Sequence, residues 1–230
     1  MKEFVSQSVY FGVVISFIGY EIGLFMKKKW KMALLNPLLI AAVFVIGVLF
    51  LFDVDYEAYD KGAKYISYFL TPATVSLAIP LYRQLSLLKK YPVAILGGIA
   101  AGVLTTMVCI YLLALGLKLN HEQYVTLLPK SITTAIGMGV SEKTGGIVTI
   151  TVVAICITGI VGNMLAQTVL KLFRINDPIA KGIAIGTSAH ALGTAKAMEM
   201  GEVEGAMSSL AIVVSGIMTV VSISLFSKFI

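Results

Sequence analysis

Tyr124-Val-Thr-Leu-Leu-Pro-Lys-Ser-Ile-Thr-Thr-Ala-Ile-Gly-Met-Gly-Val140 decides how the chain is threaded. The stretch is apolar, yet Pro129, Lys130 and several hydroxyls interrupt it. A full helical crossing needs about 20 apolar residues, and a lysine in hydrocarbon costs at least about 2.5–3.5 kcal/mol. Either the segment crosses or it dips in and returns. Lysine and arginine are retained on the cytoplasmic side. A crossing places Lys171 and Arg174 outside and the acidic stretch 199–204 inside, against that bias. A return keeps Lys27, Lys28, Lys29, Lys31, Arg83, Lys89, Lys90, Lys171, Arg174 and Lys228 inside, and puts residues 53–61, 119–123 and 199–204 outside. The charges therefore predict a re-entrant hairpin or broken helix over 124–140.

The composition agrees with a membrane setting. Of 230 residues, 58% are hydrophobic and 13% charged, about half the charge of a soluble domain. Mean hydropathy is +0.92. This excludes a cytosolic enzyme, a disordered chain and a disulfide scaffold. The expected fold is an all-α integral membrane protein with discontinuous helices. Seven apolar runs are predicted spans: 9–26, 37–52, 65–82, 93–117, 147–170, 183–195 and 206–227. The first reads as a retained helix, since no cleavage site follows it. Each basic cluster abuts an apolar run, which marks topology and not nucleic-acid binding. Cys109 and Cys156 lie within apolar runs and are expected to be buried as small hydrophobes. With no linker or soluble portion, the chain is one transmembrane domain, 1–230. The spans after the irregular segment run opposite to those before it, as an inverted repeat with halves 1–118 and 119–230 requires.

Three stretches carry polar groups into the bilayer. Leu70-Thr-Pro-Ala-Thr-Val-Ser-Leu-Ala-Ile-Pro80 holds two helix-breaking prolines, Pro72 and Pro80, with Thr71, Thr74 and Ser76. A kinked structural helix is the plain alternative. In Leu128-Pro-Lys-Ser-Ile-Thr-Thr-Ala-Ile-Gly137, Lys130 either snorkels or, with Ser131, Thr133 and Thr134, attracts an anion at a helix start by Pro129. Gly186-Thr-Ser-Ala-His-Ala-Leu-Gly-Thr-Ala-Lys-Ala197 offers Thr187, Ser188, His190, Gly193 and Thr194. Its small residues suit helix packing. His190 titrates near neutrality when unperturbed, though an isolated histidine also serves as a packing residue. Gly19 with Gly23, Gly98 with Gly102 and Gly182 with Gly186 read as packing faces. No metal motif, catalytic triad or nucleotide loop is present, so no cofactor, metal or enzymatic activity is expected.

Asn36-Pro37-Leu38, Pro72 to Tyr82, Pro129 to Thr134 and Gly186 to Ala195 together resemble signature segments of the LrgB/CidB family of bacterial membrane proteins. The likeness covers essentially the whole chain, and the plastid glycolate/glycerate translocator is similar in its C-terminal part. It implies helix breaks at Asn36, Pro37, Pro72, Pro80 and Pro129, and placement in the bacterial cytoplasmic (inner) membrane. It also implies either small-carboxylate transport or antiholin-like modulation of murein hydrolases and autolysis, with a smaller LrgA/CidA-like partner. Two departures stand out: Ala135 where proline is expected, and Lys196 where arginine is expected. The leading expectation is a small-monocarboxylate transporter working by alternating access at the polar residues named above. The alternative is the autolysis modulator, as a pore component or regulator. The many small-residue faces also suggest a homodimer.

Overall fold

The computed structural model describes residues 10–30, 35–76 and 78–230, without the side chains of 70, 74, 80, 81, 85 and 88. All regular structure among the described residues is helical. The chain divides into two compact units, Met1–Ser76 and Leu77–Ile230.

The first unit holds α1 (Phe11–Trp30), α2 (Pro37–Leu51), α3 (Tyr56–Ser67) and α4 (Leu70–Ser76). Asn36 caps α2 by accepting the Leu38 N–H at 2.8 Å, with Pro37 at the first helical position. Helices α1 and α2 run antiparallel because glycine lets their backbones touch. Gly23 abuts the Pro37 backbone, and Gly19 lies against Ala41 and Phe44. The polar connection expected at 53–61 instead starts the amphipathic α3. Its backbone at Tyr59 and Ala63 lies on Gly12, where no side chain fits, and Tyr59 Oη lies 2.9 Å from Ser16 Oγ. The basic turn Lys27–Lys29 thus sits at the Pro37 end of the α1–α2 pair, and the acidic α3 at the other.

Run 65–82 is not one span. It is broken between α3 and α4, with Pro72 in the first turn of α4, where a missing N–H costs nothing, and the described part of the second unit begins with α5 (Ala78–Arg83). Lys31, Leu77 and the Thr74 and Pro80 side chains, all singled out or spanned above, lie outside the described ones.

The second unit continues with α6 (Leu85–Lys90), α7 (Pro92–Leu117), α8 (His121–Leu127), α9 (Thr134–Lys143), α10 (Val148–Leu172), α11 (Pro178–Met200) and α12 (Glu202–Phe226). Helices α7, α10 and α12 are long and apolar enough to cross a membrane. The protein is an all-α integral membrane protein. Helices α7 and α12 run parallel: Ile95 and Ile99 pack with Ala206 and Met207 at one end, and Ile110 and Ala114 with Ile223 and Phe226 at the other. Helix α10 runs against them. Its start is tied to Thr126 of α8, while neighbouring Tyr124 bonds the end of α12.

Helices α8 and α9 form the first hairpin. They rise only about 10 and 15 Å, too little to cross about 30 Å of hydrocarbon. Near the base, Thr126 and Ser141 both meet Thr151. Toward the tip, Gly137 lies beside the Pro129 carbonyl. The re-entrant segment expected at 124–140 is what the chain forms.

The predicted crossing at 183–195 is corrected. Within α11, His190 has φ 41° and ψ −137°, and the helix reverses there. A Cβ on Gly193 would lie 3.1 Å from the Ile185 carbonyl oxygen, whereas residues eight apart in a straight helix are separated by about 12 Å. The first arm, 178–189, runs parallel to α12, with Gly182 on Glu204 and Met207 and Gly186 on Ser208 and Ala211. The second arm, 191–200, runs back, with Thr194 on Ser208 and Met198 on Gly205. The arms rise about 18 and 15 Å. A single residue makes the turn, so hydropathy leaves no gap to reveal it.

A hairpin followed by a long helix therefore occurs twice in opposite directions, over 121–172 and 178–226. The expected placement of 199–204 opposite the basic clusters also changes. Glu202 pairs with Arg83 at 3.7 Å and Glu204 with Lys181 at 4.0 Å, so these acids share an end with basic residues. Their expected placement followed from counting 183–195 as a crossing, and the reversal at His190 returns the chain to the end of Lys181. Cys109 and Cys156 are exposed on α7 and α10, not buried. A lipid-facing surface accepts a small apolar side chain as readily as a core does.

In a cysteine-free background, Asn176→Cys and Glu199→Cys should react with a membrane-impermeant maleimide from the same side, and Glu122→Cys from the other. Labelling of 176 and 199 from opposite sides would restore a full crossing. Gly186→Ala, which forces a Cβ into the Ser208 backbone, should cost about 1–3 kcal/mol in thermal unfolding. Gly97→Ala, facing open space, should be neutral or gain up to about 1 kcal/mol.

Candidate functional site

The first hairpin has a rigid base. Asn120 accepts the Gln123 N–H at 2.8 Å, and Gln123 accepts the Asn120 N–H, closing a capping box. The Tyr124 hydroxyl donates to the Phe226 carbonyl at 3.0 Å. Thr126 donates to the Glu122 carbonyl and accepts the Ile147 N–H at 2.8 Å. The Thr151 hydroxyl donates to the Thr126 carbonyl at 2.8 Å and lies 2.7 Å from the Ser141 hydroxyl. All three hydroxyl residues are buried.

Its tip is different. Pro129 stands just past α8, and the chain turns through 128–133 to Thr133, the N-cap of α9. The Thr133 side chain makes no capping bond. The first amides of a helix lack intrahelical partners, so α9 presents uncapped donors at the tip. Lys130 is half-buried, and its Nζ donates to Ser131 Oγ at 3.1 Å. Among the described residues it forms no ion pair. Ser131 is buried, and Thr133 and Thr134 are half-buried.

The second hairpin ends at His190, only 4% exposed. The imidazole donates from Nε2 to the Ile155 carbonyl at 3.0 Å and lies against Gly159, where a Cβ would come within 2.6 Å of Cε1. Asn163 of α10 donates to the Leu192 carbonyl at 2.7 Å, holding the first turn of the return arm. Thr194 donates to the His190 carbonyl at 3.0 Å, and its hydroxyl lies 2.7 Å from that of Ser208. A left-handed φ at a buried histidine costs of order 1–3 kcal/mol, and these contacts hold it.

The two tips meet at Ile155. Its carbonyl holds His190, and its Cδ1 lies where a side chain on Gly137 would stand. That level is about 10 Å from one end of α10 and 26 Å from the other. The structure thus brings together Lys130, Ser131, the start of α9 at Thr133 and Thr134, and His190.

It does not bring all the expected residues there. Thr187 donates back to the Ile183 carbonyl at 2.8 Å and packs on Gly102 of α7. Ser188 donates to the Ala184 carbonyl at 2.7 Å and faces an apolar groove of about 290 Å³ lined by Val161, Leu165 and Ala184. Gly193 and Thr194 build the hairpin. Thr71 and Ser76 are exposed on α4 in the first unit, Ser76 donating to the Ala73 carbonyl at 2.6 Å. Asn36 and Pro37 start a helix, and Pro129 marks the first tip. Sequence reasoning missed Asn163 and the Thr126–Ser141–Thr151 cluster. An amide inside the apolar run 147–170 was the available signal for Asn163.

An ammonium without an acidic partner, beside an uncapped helix start, attracts a small anion. His190 adds a group able to carry a proton.

The profile of the LrgB-like family matches residues 16–229. Relatives named antiholin-like protein LrgB are 44% identical in Bacillus mycoides (strain KBAB4), 42% in Bacillus subtilis (strain 168) and 43% in Bacillus cereus (strain B4264). Each alignment runs over 226 residues and covers 98% of both chains. No solved structure matches.

His190→Gly and His190→Val both remove the imidazole, and only glycine accepts φ 41° freely. The glycine variant should be more stable than the valine variant by about 1–3 kcal/mol in thermal unfolding. Equal stabilities would mean that the reversal does not reside at 190.

Proposed function

The chain belongs to the LrgB family, and on that premise we propose that it is an antiholin-like protein of the bacterial cytoplasmic membrane that modulates murein hydrolase activity and autolysis. The observation that carries this is the likeness of 42–44% to relatives of that name over 98% of each chain. A smaller LrgA/CidA-like membrane protein is the expected partner, and a homodimer the expected assembly. In a bacterium lacking its own copy, expression of this chain should slow detergent-triggered lysis and lower hydrolase activity in zymograms. Unchanged lysis at verified membrane expression, with and without the partner, would overturn this function.

A second function, carriage of small monocarboxylates such as glycolate or lactate, is favoured by one observation. Two half-depth hairpins enter from opposite ends and meet with Lys130, Ser131 and His190 at their tips. Inverted repeats with discontinuous helices and an interior ligand site are a common transporter plan. Purified protein in liposomes should show saturable counterflow of labelled glycolate. Lys130→Met should reduce it about 10- to 100-fold, the worth of one charge-assisted contact. Unsaturable flux would favour a pore, and undiminished counterflow in Lys130→Met would remove the site.

A further inference from the structure

Buried hydroxyls in this protein are used almost without exception. Among the described residues, twelve polar side chains are buried, and eleven of them take part in a hydrogen bond. Thr219 is the exception. It is 4% exposed, yet its hydroxyl bonds to no protein group, not even the carbonyl one turn back in its own helix. Threonines 106, 126, 144 and 187 all make that backbone bond. No fully enclosed side-chain polar atom lacks a partner among the described residues. The Thr219 hydroxyl therefore touches open space inside a buried position.

Its place on α12 says what that space adjoins. Gly216, three residues before, lies against Ile136 of α9, with a Cβ–Cδ1 distance of 3.4 Å. Ile223, four residues after, packs in one cluster with Tyr124 and Leu128 of the first hairpin. Positions 216, 219 and 223 share a helical face. That face meets the first hairpin at Ile136 and shares a cluster with Tyr124 and Leu128, on either side of the turn that carries Lys130 and the uncapped start of α9.

We infer that Thr219 is a ligand-contacting residue whose hydroxyl donates to a small monoanion held between the Lys130 ammonium and the first amides of α9. This rests on the small-anion site of the second function above. It adds a third wall, from a helix that sequence reasoning treated as a plain apolar span. A hydroxyl without a protein partner is a donor available to a charged acceptor.

The test uses the full-length protein in detergent, with sodium glycolate titrated at constant ionic strength and binding read by calorimetry. Thr219→Val replaces the hydroxyl by a methyl of the same shape, and Thr219→Ser keeps the donor. Wild type should bind glycolate. Thr219→Val should weaken it at least about ten-fold, the worth of a hydrogen bond to a charge, while Thr219→Ser stays within about three-fold. Without glycolate, Thr219→Val should melt at or above the wild-type temperature, since no protein bond is lost. Glycolate binding by wild type with equal affinity in Thr219→Val would overturn this assignment and leave the anion site standing. A lowered melting temperature of Thr219→Val without glycolate would also overturn it, by making the hydroxyl structural. No glycolate binding by wild type would remove the anion site itself and this assignment with it.

Discussion

Backbone amides and carbonyls in hydrocarbon find no water, so a chain can reverse inside a membrane only where protein covers the exposed groups. Most of the second unit follows from that constraint. Two reversals occur at depth, at 128–133 and at His190. The first is packed against α7 and α12, and the second against α10 and α12. Helix α10 contributes most directly. Its Ile155 carbonyl takes the His190 imidazole, its Asn163 amide takes the Leu192 carbonyl, and its Thr151 ties the base of the first hairpin. The apolar helix is the frame on which both interruptions hang.

Close approach makes this enclosure geometrically available. Along the seat of α11, Gly182 and Gly186 meet α12, Gly205 of α12 meets Met198, and Gly159 and Gly162 of α10 meet His190 and Ala189, each closer than an added Cβ would tolerate. Without a hydrophobic drive between helices in lipid, such contact supplies the association through dispersion. The first unit uses the same device at Gly12, Gly19 and Gly23. The glycines that a soluble protein would spend on turns are here spent on faces.

Polar residues in the second unit then separate into two kinds. Thr126, Ser141, Thr151, Thr187, Thr194 and Ser208 bond to one another or to backbone, and hold helices in register. Among the described residues, Lys130 has no acidic partner, the Thr133 side chain makes no capping bond, and the Thr219 hydroxyl makes no hydrogen bond. The first kind is what a stable fold requires. The second kind is less fully satisfied, and burying such groups carries a desolvation cost that the fold offsets only in part.

The sequence alone determined the membrane class, the re-entrant segment at 124–140 and the glycine packing faces. Each is written in a local property: charge density, proline position, the side on which lysine must stay, or the absence of a Cβ. It also singled out Lys130, Ser131 and His190, since polar groups inside apolar runs are conspicuous. Only tertiary structure decided that 183–195 turns back, because one residue's dihedral angles make the reversal and leave no mark on hydropathy. Only tertiary structure separated Thr187 and Ser188, which bond back to their own helix, from their neighbour His190. It alone placed the acids at 202 and 204 beside Arg83 and Lys181, and left the Thr219 hydroxyl without a hydrogen bond among the described residues. Those outcomes depend on which surfaces meet across distant parts of the chain, and a linear pattern of residue types carries no record of that.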